Sequence, residues 1–228
     1  TGDGAQELLA GSDAEAVHAL DAELGELWRF DAPFVRFDGI PMHWTLRSAK
    51  VRALRADDIT GDGRPEVLVG SGSMHLHCLD AEGAELWRTP VPTGARWTYG
   101  IPDTIATADV FGEGVSRVLV GNGLKSYSAY CTVLDETGEI MEQFKNGGWA
   151  ITVPAIAVAD LDGDGRQSVL CGNNLGDVRC FPATEDRPRQ RWWQNLSRVI
   201  RSLTIVPREP GAIVAVGSDS GYLCAFDA

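Results

Sequence analysis

Oxygen-bearing side chains recur at fixed spacing in one glycine-punctuated phrase of this sequence. Asp58-Ile-Thr-Gly-Asp-Gly-Arg-Pro-Glu66 sets Asp58, Thr60, Asp62 and Glu66 at its first, third, fifth and ninth positions. Gly61 and Gly63 let the backbone turn tightly without a Cβ penalty. Several oxygens converging on a tight loop suit a hard cation, calcium above all. The expected ligands are the side chains of Asp58, Asp62, Glu66 and Thr60 with the carbonyl of Arg64. The phrase returns from Asp160 to Gly172 and offers Asp160, Asp162, Asp164 and the carbonyl of Arg166. Ser168 holds the ninth place there, so weaker binding is expected. A clipped copy at the start of the chain offers Thr1, Asp3 and Glu7. A worn copy from Asp109 to Gly121 has Phe111 at the third place and Arg117 at the ninth. That guanidinium is expected to pair with Asp109 or Glu113 in place of an ion. In every copy the ion's role would be structural, because it would neutralise carboxylates crowded on a turn. The alternative is a plain Gly/Asp turn with no ion. An EF-hand would need Glu at the twelfth place, where this chain has Val69 in an apolar run.

The loops sit in a repeat. Gly11, Gly70, Gly121, Gly172 and Gly217 each close an apolar run, at spacings of 59, 51, 51 and 45 residues. A second phrase follows each run: Val17–Asp21, Leu76–Asp80, Cys131–Asp135, Val178–Phe181 and Leu223–Asp227. A third carries a turn glycine and an aromatic, as in Gly83-Ala-Glu-Leu-Trp-Arg88. A further apolar segment precedes each loop, as at Lys50–Ala56 and Ile151–Ala159. Short apolar or alternating runs between Gly/Asp/Asn turns are strand signals. Four antiparallel strands in units of about 45 residues match the arithmetic of a β-propeller blade. One such sheet cannot bury both faces alone, so neighbouring units must stack.

The expected fold is therefore all-β, a β-propeller of four-stranded antiparallel blades in one domain, 1–228, with units near 1–30, 49–89, 103–144, 151–194 and 199–228. The first unit lacks an inner strand and the fifth an outer strand and a cation loop. The chain opens inside a repeat, which leads us to expect a piece of a longer protein whose remaining blades bring the total to seven or eight. For the second unit the strands are expected near 50–57, 66–70, 74–80 and 84–89.

The bulk numbers narrow the function. Hydrophobic residues make up 44% and charged residues 23% of 228 residues, an ordinary globular balance. A net charge of −12 argues against nucleic acid, which calls for a basic face. No apolar run approaches the roughly 20 residues of a membrane span. Five cysteines, with no Cys-x-x-Cys pair, read as buried packing thiols, with one bridge such as Cys171–Cys180 left open.

The loops at Asp58–Glu66 and Asp160–Gly165 resemble FG-GAP/VCBS-type propeller repeats, and Leu79–Trp87 is similar to quinoprotein-like (PQQ-like) blade repeats. The resemblance implies an extracellular, cell-surface or periplasmic propeller with structural Ca2+ in loops between first and second strands. The Phe-Gly…Gly-Ala-Pro phrase of the integrin-like form is missing, and no constellation marks a quinone site.

Function is expected to be binding or scaffolding, with a carbohydrate or protein partner. The rival is the propeller portion of a larger enzyme, a polysaccharide lyase or hydrolase or an oxidoreductase. No Ser/His/Asp set or close acid pair stands out in the sequence, so catalytic residues are not expected within it. Trp44, Arg47, Trp97, Tyr99 and Trp149, with Trp192, Trp193 and Arg198, lie on inter-unit connections. They would either form a ligand face for a sugar ring or a protein, or wedge between blades. Trp28 and Trp87 read as packing, His75 and His77 as repeat packing with a metal pair as alternative, and Asn195-Leu-Ser197 as a glycosylation sequon.

Overall fold

In a computed structural model of the chain, residues 7–35, 48–93, 99–123, 128–148, 151–183, 189–208 and 211–227 are described. They form strands and turns, with no helix among them. The first sheet holds β1 (Leu8–Gly11), β2 (Ala16–Leu20) and β3 (Glu26–Asp31). The second holds β4 (Val51–Asp57), β5 (Glu66–Ser71), β6 (His75–Leu79) and β7 (Glu85–Pro90), within a residue or so of the expected spans. The third holds β8 (Ile101–Ala108), β9 (Arg117–Gly123), β10 (Ala129–Leu134) and β11 (Ile140–Gly147). The fourth holds β12 (Ala155–Ala159), β13 (Ser168–Gly172), β14 (Asp177–Pro182) and β15 (Trp192–Asn195). The fifth holds β16 (Ile200–Pro207), β17 (Ala212–Ser218) and β18 (Leu223–Asp227).

Every sheet is an antiparallel meander in chain order. The strands before the loops, β4, β8, β12 and β16, contact one another from sheet to sheet, so they are the inner strands of successive blades. The described residues thus form five consecutive blades of a β-propeller, three of them four-stranded.

The apolar core is divided into four clusters, one at each junction between blades. Central strands β5, β6 and β13 are buried on both faces, which is why their sequences are continuously apolar rather than alternating. The run-closing glycines explain the tightness of the junctions. A Cβ on Gly11, Gly70 or Gly172 would lie 2.5, 2.6 or 2.4 Å from Val51, Pro102 or Ile200 of the next inner strand, and one on Gly121 would lie 2.3 Å from Val153, just ahead of β12. Only glycine permits that approach.

A second clasp joins the blade rims. Asp21, Asp80 and Asp135 each accept two backbone N–H bonds within the turn that follows, fixing its shape. Trp28 Nε1 donates to the Ala81 carbonyl of the next blade's turn at 2.9 Å, and Trp87 Nε1 to the Glu136 carbonyl at 2.8 Å. Each indole lies against the turn glycine, Gly83 or Gly138, which has φ of 84° or 82°. Trp28 and Trp87 are packing residues, as their place in the repeat suggests. Glu142 holds the corresponding place in the third blade, and the fourth blade offers no Asp-x-x-Gly turn to receive an indole.

The same column makes a comparison possible. Trp87→Ala removes the ring contact and the hydrogen bond and should cost about 2–4 kcal/mol. Glu142→Ala, at the matching but unclasped place, should stay within about 0.5 kcal/mol of wild type in urea denaturation.

Candidate functional site

Antiparallel connectivity gives the blades two distinct ends. The loops between first and second strands share one end with the turns between third and fourth strands. Arg64 with Glu82, Arg117 with Glu136, and Arg191 with Asp162 tie these segments together. The turns between second and third strands share the opposite end with the connections between blades, as the Gly176–Leu196 and Asn173–Ile200 backbone bonds show.

At the loop end the first aspartate of each loop folds inward as a cap. Asp58 Oδ1 accepts from the Gly61 and Asp62 amides at 2.7 and 3.2 Å, and Oδ2 from Gly63 at 2.8 Å. Asp160 does the same with the amides of residues 162–165. Those donors, Gly165 first, hold its carboxyl below the usual range. Asp109 in the worn loop accepts from Glu113 and Gly114 at 2.9 and 2.8 Å. Both glycines of all three loops have positive φ, between 71° and 86°. The residue after each capping aspartate, Ile59, Val110 or Leu161, is buried and anchors the loop in the core. Its signal in the sequence is an aliphatic residue repeated after the first loop Asp, a pattern passed over when the oxygens alone were read.

The remaining expected ligands separate. Asp62 and Asp164 accept from the Arg64 and Arg166 amides at 2.8 and 2.9 Å. Glu66 is buried beneath its loop and accepts from the Ile59 and Thr60 amides and the Thr60 hydroxyl, at 3.0, 3.3 and 3.4 Å. Asp162 pairs with Arg191 at 2.6 Å. Among the described residues no group of three or more His, Cys, Asp or Glu side chains converges. Asp58 and Asp62 retain acceptor capacity beyond the bonds they make, so their chemistry fits a hard cation. Arg117 pairs with Glu113 at 3.0 Å and with Glu136 at 2.8 Å. The expected Glu113 pairing is present, whereas Asp109 is occupied as a cap. Glu7 is described; Thr1 and Asp3 lie outside the described residues.

At the opposite end, Tyr99 is half-buried and forms a bridge with Pro92, while Trp44, Arg47, Trp97 and Trp149 lie outside the described residues. Trp192 wedges against Phe226 of the next blade, with ring centroids 5.9 Å apart. Arg198 stacks its guanidinium 4.3 Å from the ring centre of exposed Tyr222, and exposed Leu175 lies on the same end. Asn195 donates its amide to Asp177 at 2.7 Å, so the sequon nitrogen is engaged in the fold.

The second blade holds a serine–histidine–glutamate arrangement that sequence reading missed, because its members are brought together across three strands. Ser71 Oγ is 3.1 Å from His77 Nε2, and His77 Nδ1 is 2.7 Å from Glu85 Oε1. The order resembles a nucleophilic relay. Its setting is structural, however: Ser71 and His77 are fully buried. Ser12, Ser71 and Ser218 each bond the carbonyl four residues on, at 3.2 Å, closing equivalent turns. His18 repeats the pairing with Glu26 at 2.6 Å. His75 Nδ1 donates to the Ser73 carbonyl at 2.8 Å, so these imidazoles serve packing and turns rather than a metal pair.

The cysteine reading needs one correction. Cys171 and Cys180 are free and lie on opposite faces of neighbouring strands, since Leu170 pairs with Cys180 and Cys171 with Arg179. The bridge suggested for them is thereby excluded. Burial pushes the Cys78 thiol up to about 12 and that of Cys180 to about 11, so both are inert packing groups.

No family model matches the chain. BBSome complex member BBS2 of Rattus norvegicus is 24% identical over 180 residues, covering 65% of this chain and 24% of BBS2. The chain therefore spans about a quarter of that relative's length. Sqt1 of Saccharomyces cerevisiae superposes with a TM-score of 0.71 at 14% identity, over 97% of this chain and 55% of Sqt1. The Dos1 propeller gives 0.64 at 14%, over 97% and 52%. BBS1N, solved in complex with ARL6DN, gives 0.61 at 13%, over 97% and 60%. These likenesses agree with the propeller fold.

Burial holds His75 and His77 below the ordinary imidazole range, and for His77 the Glu85 carboxylate opposes the effect without overcoming it. The unfolded chain takes up these protons near pH 6.5 and the folded chain only at lower pH, so stability is full above that value and falls as pH drops below it. Melting temperature should decline between pH 7 and pH 5, and His77→Gln should flatten part of that slope.

Proposed function

We propose that this chain is a protein-binding scaffold, a propeller that recruits a partner at its connection-bearing end. The observation that carries the reading is the Arg198–Tyr222 stack at that end, where Tyr222 and Leu175 are exposed. Arginine and tyrosine are enriched where interfaces concentrate their binding energy, and a stacked pair is already ordered for contact. The likeness to BBS2, a member of the BBSome complex, and to BBS1N, solved with ARL6DN, supports a protein partner over a sugar. A carbohydrate ligand would draw on the same aromatic chemistry and is the second outcome of the test.

Calcium belongs to the same reading as a stabiliser of the scaffold. In the first loop Asp58 and Asp62, with the Arg64 carbonyl, would hold the ion, and its charge would offset carboxylate repulsion. In the second loop Asp160 and Asp164 would do so beside the Arg191–Asp162 pair. An extracytoplasmic setting rests on the loop resemblance alone.

Cross-linking in extract followed by titration with the purified captured protein tests the recruitment. Arg198→Ala with Tyr222→Ala should weaken saturable binding about tenfold or more. Unchanged affinity, or selective binding on a glycan array with no protein ligand, overturns it. For the ion, excess chelator should lower the melting temperature at constant ionic strength, and Asp62→Ala should remove most of that response. Glu113→Ala should leave the response intact. Identical melting with and without calcium would mean the loops are plain turns.

A further inference from the structure

The repeat supplies an internal standard for how a loop meets the turn beside it. In the second and third blades a loop arginine reaches a glutamate of the turn between third and fourth strands: Arg64 pairs with Glu82, and Arg117 with Glu136 at 2.8 Å. The ninth loop place is filled by a long side chain in both. It is Glu66 in the second blade, buried beneath its own loop amides, and Arg117 in the third. The fourth blade departs at both points. Its ninth place holds Ser168, which is buried and too short to make either contact. Arg166, the counterpart of Arg64, forms no ion pair among the described residues, and neither does Arg189. A cavity of about 710 Å3 opens there, between the loop and the segment that leads into β15. Its size is that of a ligand pocket, of order 300–1,000 Å3.

The charge of the lining points to the ligand. Arg166, Arg189 and Arg191 stand against Asp162 and Asp164, with Ser168 between them. Asp162 is taken up by Arg191 at 2.6 Å, and Asp164 accepts from the Arg166 amide at 2.9 Å. Three guanidinium groups against two carboxylates leave the cavity positive on a chain of net charge −12. We propose that this cleft binds an acidic peptide segment of a partner protein, one carboxylate of which takes the place that Ser168 leaves open. Glu66 is the precedent, since a carboxylate fills the matching place in the second blade. A guanidinium fork matches a carboxylate with two parallel hydrogen bonds, so Arg166 and Arg189 supply both charge and geometry. The cavity has room for several residues, more than a single small anion would fill.

The site lies at the loop end and does not rest on the Arg198–Tyr222 stack at the other. Residues 184–188, which carry Glu185 and Asp186, lie outside the described residues, so the test separates their carboxylates from a partner's. A capped hexaglutamate peptide is titrated into the chain by calorimetry, with hexaglutamine as control. Buffer freed of calcium by a chelating resin keeps the result independent of the ion. Saturable binding of hexaglutamate alone is expected. Arg166→Gln with Arg189→Gln should weaken it about tenfold or more, with melting unchanged because both side chains are exposed. Ser168→Glu refills the ninth place and should weaken binding as much, whereas Ser168→Ala leaves the space open and should bind as wild type does. No saturable binding, or equal binding by wild type and Ser168→Glu, overturns the proposal. Binding that appears only after Glu185→Gln with Asp186→Asn also overturns it, by making the chain's own acid the occupant. Inorganic phosphate binding with the same residue dependence, in the absence of peptide binding, overturns it in favour of a small free anion.

Discussion

A narrow antiparallel sheet with two apolar faces cannot stand alone in water, and this constraint governs the molecule. Each blade buries its faces only by pressing against its neighbours, so the junction, not the blade, is the unit of stability. The closeness of the junction depends on one position per blade, where the absence of a side chain admits the next inner strand. Apolar clusters form at each junction as a result. The indole clasp at the rim repeats the logic with different chemistry: a large ring over a glycine, fixed by one hydrogen bond.

The polar groups that draw the eye in the sequence are mostly committed to backbone geometry. Loop aspartates cap amides, turn aspartates cap amides, and the serines after the run-closing glycines close tight turns. Short strands leave many turn amides without ladder partners, and an unpaired amide in a packed setting is costly. The carboxylates and hydroxyls answer that need first. The buried serine–histidine–glutamate set of the second blade follows from the same demand, with its histidine packed edge-on by Phe30 of the preceding blade.

Strand identity and blade boundaries were legible because they are local. Glycine punctuation and apolar runs mark each strand, and the second blade's four strands fall where the phrases put them. The partners across junctions were not legible, because they lie about fifty residues away and depend on which face a residue takes. Trp87 could be read as packing, but not that its nitrogen reaches the Glu136 carbonyl. Arg117 could be read as a replacement for an ion, with Glu113 as partner, but its second pairing, to Glu136 of the neighbouring turn, required the fold. Cys171 and Cys180 look adjacent in sequence terms, yet strand alternation sends them to opposite faces.

The three loops share one conformation although their side chains differ, and the worn loop with Phe111 and Arg117 keeps the turn of the others. The turn is therefore preformed by its cap and glycines, and whatever else it carries is an addition to a finished shape. In evolutionary terms the remaining loop positions are free to drift. A blade can exchange a carboxylate for an arginine, or the reverse, without relearning how to fold, and each of the repeats can acquire or lose its own specialisation independently of the rest.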